Sequence, residues 1–383
     1  MANLLALALC LLGSSSTDQV AALRAEGPSA LARLLERYRS EAPGPAHDAL
    51  EATIDAVAAQ RYATFSGLYW YTDLAQAEEA ARASGKPILS LRMLGRLDED
   101  LSCANSRFFR VALYANKNVS DFLRENFVLH WSSERPVPKV TIDFGDGRKL
   151  QTTIAGNSAH YVLDADGHVI GVLPGLYSPV AFQRELEPLL PLARSSAQLD
   201  DAERSAQVRE FIRRHDAELP QKWEGFGAEG EGVFANWGLP GVQAEATTFS
   251  KSLSEVPMLP AFIPSTSRTG VSKYHLLRPQ ESRLDPSSRE LFRRLAGAEL
   301  GEDALQRLQN EFEGSIAADT QLNELRIRPY IHAQMLRGSE LPSFAQLNAY
   351  IYDQIFHTPR SDPWLGLYNE KAFNGLPDMG VVR

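Results

Sequence analysis

Cysteine is nearly absent from this chain: two occur in 383 residues, Cys10 and Cys103. A disulfide framework of the kind that staples small secreted domains is therefore excluded. There is no CxxC dithiol and no CxxCH for covalent haem attachment. HExxH and a glycine-rich nucleotide signature are also missing, as is the Gly-x-Ser-x-Gly elbow of many serine hydrolases. Positive charge is in deficit, with 39 Lys and Arg against 48 Asp and Glu and a formal charge of -9. Phosphate binding needs concentrated Lys and Arg, so this balance, with no basic stripe among aromatics, argues against a nucleic-acid surface. No internal repeat or low-complexity tract is present.

Residues 4–12 form an apolar run, Leu-Leu-Ala-Leu-Ala-Leu-Cys-Leu-Leu, followed by Gly-Ser-Ser-Ser. It is shorter than the roughly 20 residues that span a bilayer and fits the apolar part of a secretory signal. Export, periplasmic or extracellular, is the expectation, although Met-Ala-Asn supplies no basic side chain and a cytoplasmic location stays open. No integral membrane segment is expected after cleavage. A chain of this length is expected to hold more than one domain. Composition shifts suggest a signal segment at 1–16, a helical region at 17–62, an α/β domain at 63–195, a helix with an irregular connector at 196–284, and a helical domain at 285–383.

Apolar spacing predicts amphipathic helix over 18–39, divided at Gly27-Pro28 because proline is tolerated only in a first turn. Further helices are expected over 47–60 and 73–84, the latter stopped by Gly85-Lys-Pro87. Ile88–Leu94 reads as a central strand, with a helix starting near Cys103 and running towards Leu113. A helix at 119–125 leads into a strand at 127–131, and another strand is expected between 136 and 146. Tyr161–Ile170 carries a hairpin signal around Asp164–Gly167. Helices follow at 179–195 and 198–216. Residues 220–270, rich in Gly, Pro and Ser, read as a long irregular connector. Helices resume at 286–298, 302–310, 318–336 and 343–356, before the aromatic loop 358–368. The alternation predicts a mixed sheet covered by helices, followed by a mainly α-helical domain.

Three segments carry a family resemblance. They are Ala80-Ala-Arg-Ala-Ser-Gly-Lys-Pro-Ile-Leu-Ser-Leu91, Val119-Ser-Asp-Phe-Leu-Arg-Glu-Asn-Phe-Val128 and Tyr161-Val-Leu-Asp-Ala-Asp-Gly-His-Val169. In order and spacing, residues 68–190 resemble the thioredoxin-like superfamily. The resemblance implies a thioredoxin-like mixed sheet flanked by helices, with Cys103-Ala-Asn-Ser106 where the family carries CxxC. Cys103 then matches the attacking cysteine, and Ser106 replaces the resolving one. The family's cis-proline before the hairpin, opposite the thiol, is replaced by Gly156-Asn-Ser-Ala-His160. The tryptophan before the motif is replaced by Leu101-Ser102.

A thiolate at a helix N-terminus is stabilised by unpaired backbone N–H groups and the helix dipole. Cys103 could then form a mixed disulfide with a protein thiol or a small thiol. Ser106 cannot release it by attack on sulfur, which leaves monothiol exchange, shuffling or trapping. The competing readings are a buried structural cysteine in a catalytically silent, protein-binding scaffold, and a ligand-binding protein that uses the helical C-terminal domain near His332 and His357. Ser106 with His130 or His160 lacks the context of a hydrolase. His275, His332 and His357 have no diagnostic metal spacing, and Asp164 and Asp166 read as turn residues. No cofactor or metal is expected; the candidate site is Cys103 with Ser106.

Overall fold

The apolar run Ile88–Leu94 forms the central strand, β2, its side chains buried on both faces apart from a partly exposed Arg92. In the computed structural model, residues 16–219, 278–365 and 377–381 are described. The leader with Cys10, residues 220–270, His275 and Tyr368 lie outside them. Three helices open the chain: α1 (Ser16–Ala25), α2 (Pro28–Ser40) and α3 (Pro45–Ala58). Gly27 at φ 72 sits between the first two, with Pro28 in the first turn of α2, where its missing N–H costs nothing. Leu31, Leu35, Ile54 and Val57 close a small core between these helices.

A short helix, α4 (Ala63–Ser66), precedes β1 (Trp70–Tyr71). Helix α5 (Leu74–Ser84) is capped by the Asp73 carboxylate and ends at Gly85, φ 68, a left-handed position that suits glycine. After β2 come α6 (Ala104–Phe109), a π-helical continuation Arg110–Tyr114, α7 (Lys117–Asn126) and β3 (Val128–Arg135). An inserted hairpin, β4 (Lys139–Asp143) with β5 (Lys149–Thr153), stands apart as its own two-stranded sheet. The expected strand between 136 and 146 thus has a partner, β5, whose polar sequence gives little strand signal. Strands β6 (Ser158–Leu163) and β7 (Val169–Pro174) form the expected hairpin.

The main sheet runs β1-β3-β2-β6-β7. Strands β1, β3 and β2 are parallel, while β6 lies antiparallel to β2 and β7 antiparallel to β6. This mixed sheet flanked by helices resembles a thioredoxin-like fold. Its short edge strand is covered: Arg24 of α1 donates to the carbonyls of Val57 and Trp70, at 2.8 and 3.0 Å. Such covering blocks pairing with foreign strands. The expected helix 179–195 is two, α8 (Pro179–Leu186) and α9 (Leu189–Ser196), with Pro188 between them. Helix α10 (Asp201–Ala217) begins with a capping box from Asp200 and Glu203.

The region beyond residue 278 is mainly helical. It comprises α11 (Pro286–Ala296), α12 (Glu302–Leu322), a π-helical stretch Asn323–Ile327, α13 (Arg328–Met335) and α14 (Phe344–Tyr350), the last extended by the π-helical Ile351–Ile355. The expected break at 311–317 is absent, because Ile316 and Ala317 continue the buried stripe of α12. Ile316, Ile331, Met335, Leu347 and Phe356 share one apolar core with the sheet. No described helix is long and apolar enough to cross a membrane.

Candidate functional site

Cys103 is the N-cap of α6, as its place in the sequence suggests. Its surroundings close it off. The residue is fully buried, and its N–H donates to the Leu94 carbonyl at 3.4 Å. The first helical amide, that of Ala104, donates to the Ala155 carbonyl at 3.2 Å. An amide that could stabilise a thiolate therefore already has a backbone acceptor. Burial pushes the Cys103 thiol above its ordinary pKa, against the opposing pull of Ser106 hydrogen bonds and of Arg107. A thiol raised in this way is mostly protonated at neutral pH and a poor nucleophile.

Ser106 is also fully buried. Its hydroxyl donates to Ser102 Oγ at 2.6 Å and lies 2.8 Å from the Cys103 carbonyl. Those contacts tie the first turn of α6 to the loop before it. Arg110, buried, organises the same loop by donating to the Glu99 carbonyl at 2.6 Å and to Ser102 Oγ at 3.2 Å. Thr153 of β5 donates to the Ser102 carbonyl at 2.8 Å, so the inserted hairpin holds the loop from its other side.

The segment before β6, where the resemblance implies a cis-proline, packs on the first turn of α6. Ala155 has φ 103, a conformation that costs an L-residue about 1–3 kcal/mol. Gly156 lies so close to α6 that a Cβ there would come within 3.1 Å of Asn105 Oδ1. Asn157 donates to Thr358 Oγ1 at 3.0 Å, and its carbonyl accepts from Tyr352 Oη at 3.4 Å. Tyr161 Oη donates to Asn348 Oδ1 at 3.0 Å. Arg135, at the end of β3, donates to the carbonyls of Pro359 and Asp362 at 3.1 and 2.6 Å. Residues 344–363 thus lie across the loop that meets the first turn of α6. Tyr352, buried, sits within electrostatic reach of Cys103. On the other side of α6, Phe108 packs edge-on against Phe312 of α12, with centroids 4.9 Å apart. The C-terminal region therefore packs against both α6 and the loop before β6.

The histidines separate into distinct environments. His160 is fully buried between Phe109 and Phe182, ring centroids 4.7 and 4.9 Å away, and shares a 2.7 Å hydrogen bond with Tyr114. Burial lowers its pKa to about 3. His130 pairs with Ser90 Oγ at 2.8 Å; burial, helped by Arg92, takes it to about 4. Neither hydrogen-bonds Ser106 among the described residues, and each is a buried imidazole whose neutral form is favoured. Asp164 is a turn residue as expected, accepting from the backbone N–H groups of Asp166 and His168 at 3.0 and 2.9 Å. His357 has φ 49 and a buried Nε2 without a partner.

His332 is different. It donates from Nδ1 to Asp216 Oδ1 at 2.7 Å, and His215 Nδ1 lies 3.1 Å from the same oxygen. His215 Nε2 meets Glu185 Oε2 at 2.9 Å. Arg328, fully buried, pairs with that same Glu185 oxygen. Burial works against the Asp216 carboxylate, but hydrogen bonds from both histidines overcome it and bring the carboxyl to about 2. Burial takes His332 to about 4, whereas its cost at His215 is outweighed by Asp216 and Glu185, which hold that imidazole above its ordinary value. Sequence spacing could not find this cluster: its members come from α8, α10 and α13. The adjacent His215-Asp216 pair was the one local signal.

A surface groove of about 680 Å³ runs between α2, α5, α7 and the β1–β3 edge. Leu31, Leu35 and Phe127 contribute apolar surface; Arg39, Lys86, Lys117 and Arg124 outnumber Glu36 among its charged residues, with Lys117 and Arg124 paired to Asp121. Its size is that of small-molecule clefts. Comparison with family models, with curated proteins and with solved structures finds no match to this chain.

Proposed function

We propose that this chain is a thioredoxin-like binding scaffold that runs no thiol redox cycle. The observation that carries this reading is the complete burial of Cys103, with Tyr114 of the following turn and Tyr352 of the C-terminal region both within electrostatic reach of the thiol. A cysteine that exchanges disulfides must present a thiolate to a second sulfur. Here the raised thiol pKa opposes ionisation, and Tyr352, buried within electrostatic reach of the thiol, is tied to Asn157. The fold's usual reactive face then serves as an internal joint between the sheet and the helical region. The binding surface of the scaffold is the groove beside α2. Its positive rim, on a chain of net charge -9, favours a protein segment that combines apolar and acidic side chains.

The competing reading is monothiol exchange through Cys103, with Ser106 where a resolving cysteine would stand. It is supported by the N-cap position of Cys103 and by Arg107, which pulls the thiol pKa down. Alkylation of the folded chain between pH 6 and 10, with Cys103→Ser as blank, separates the two. The scaffold reading expects labelling only after denaturation. Rapid labelling of Cys103 with a midpoint below the free-thiol value of roughly 8.5 would overturn it and restore the exchange reading.

A further inference from the structure

We propose that His215, Asp216 and His332 form a divalent transition-metal site, with zinc its best-matched occupant, that fastens α10 to α13. Two imidazoles and one carboxylate offer ligand atoms that all lie within 4.8 Å of one another. That donor set suits zinc, whose catalytic and semi-open sites commonly use three protein ligands and a water. Tetrahedral zinc with bonds of about 2.0–2.1 Å places its ligand atoms about 3.3 Å apart. The present 2.7 and 3.1 Å spacings around Asp216 Oδ1 are those of hydrogen bonds that the metal would replace. Reaching that geometry lengthens both Asp216 spacings by a few tenths of an ångström and sets the two imidazole nitrogens, which lie within 4.8 Å of each other, at the same separation.

The support around the ligands points the same way. A metal-bound imidazole characteristically donates its second ring N–H to a carboxylate, which fixes the ring's orientation and tautomer. His215 meets that condition: Nε2 lies 2.9 Å from Glu185 Oε2, leaving Nδ1 directed at Asp216. Glu185 is held in turn by Arg328 and by Arg184 at 3.4 Å. Arg328 Nη1 comes within 3.4 Å of His215 Nε2, so a guanidinium stands near the site. It lies on the Nε2 side of the ring, with its charge paired to Glu185, whereas the proposed metal position is on the Nδ1 side. His332 is buried, while the Asp216 side chain is a quarter exposed. That exposed edge gives a route for ion entry and a place for a water as fourth ligand.

The role of such an ion is mechanical. It would join residues 116 positions apart in the chain. Ordering so long a loop carries a closure cost in entropy, and binding free energy at a site assembled only by folding becomes folding free energy. Binding frees both Nδ1 atoms: His215 gives its Nδ1 proton to solvent and keeps Nε2–H on Glu185, while neutral His332 moves its single ring proton from Nδ1 to Nε2.

The test is a zinc titration of the full-length, chelator-stripped protein by calorimetry, alongside the ligand-field spectrum of the cobalt form. One equivalent should bind, with a micromolar or tighter constant. His332→Ala and Asp216→Asn should each weaken it at least tenfold and abolish the tetrahedral cobalt bands. Glu185→Gln should retain the stoichiometry but bind about 10–100-fold more weakly, as expected for loss of an orienting partner. His168→Asn, outside the cluster, should bind as the parent does. Circular dichroism identifies variants that fail to fold; Asp216→Asn, at the exposed edge, is the variant that retains the helix packing. Absence of saturable binding, or equal binding by a folded Asp216→Asn, would overturn the proposal.

Discussion

Acidification from pH 7 to pH 5 destabilises the fold through His160, and the effect can be sized. In the folded protein its pKa is lowered to about 3 by burial among Phe109, Phe182 and Tyr114. In the unfolded chain it titrates near 6.5. The folded pKa is the depressed one, so the unfolded state binds the proton first and stability falls with falling pH. The contribution is fully present above the unfolded value and is lost progressively as pH drops towards the folded value. At pH 5 the folded group is still neutral, so the loss depends almost entirely on the unfolded state. It amounts to about 2 kcal/mol between pH 7 and pH 5. His160→Gln removes the titration while leaving a polar partner for Tyr114. The assay is urea unfolding of both proteins at pH 5, 6 and 7. The variant's baseline stability will differ, but its loss over this range should be about 2 kcal/mol smaller than that of the parent. Parallel curves would refute the assignment of His160 as a neutral core residue.

Glu185→Leu should cost about 3–5 kcal/mol, because it takes from the fully buried Arg328 the carboxylate it pairs with, whereas Glu185→Leu with Arg328→Met should recover most of the loss; chemical denaturation of the single and double variants checks this. Tyr352→Ala should speed alkylation of Cys103 in the native protein at least tenfold, since about 1.4 kcal/mol of lost local stability suffices and the ring covers the approach; an unchanged labelling rate would show that another group seals the thiol. Gly175→Ala should lower the thermal midpoint by more than about 1 kcal/mol in stability terms, because at φ 71 its new methyl would lie 2.5 Å from Asn323 Nδ2. Calorimetry of that variant reads the joint between β7 and the helical region directly.

Local physical chemistry in the sequence determined the periodic parts of this protein. Ile88–Leu94 is a continuous apolar run, Gly85-Lys-Pro87 ends a helix, and Asp164–Gly167 turns a hairpin; each is written in adjacent residues and each is found. The same local logic placed Cys103 at a helix start. It could not say whether the sulfur meets solvent, because burial depends on tertiary packing, including Tyr352 from far away in the chain. Polar strand β5 escaped notice because its pairing with β4, rather than its own side chains, makes it a strand. The Glu185–His215–Asp216–His332 cluster is the extreme case: three helices separated in sequence supply it, and only their packing brings the charges together. Sequence by itself determined the strongly periodic elements, since helix and strand periodicity act over a few residues. Tertiary structure alone decided which groups are buried and which charges meet, and burial and proximity set their chemistry.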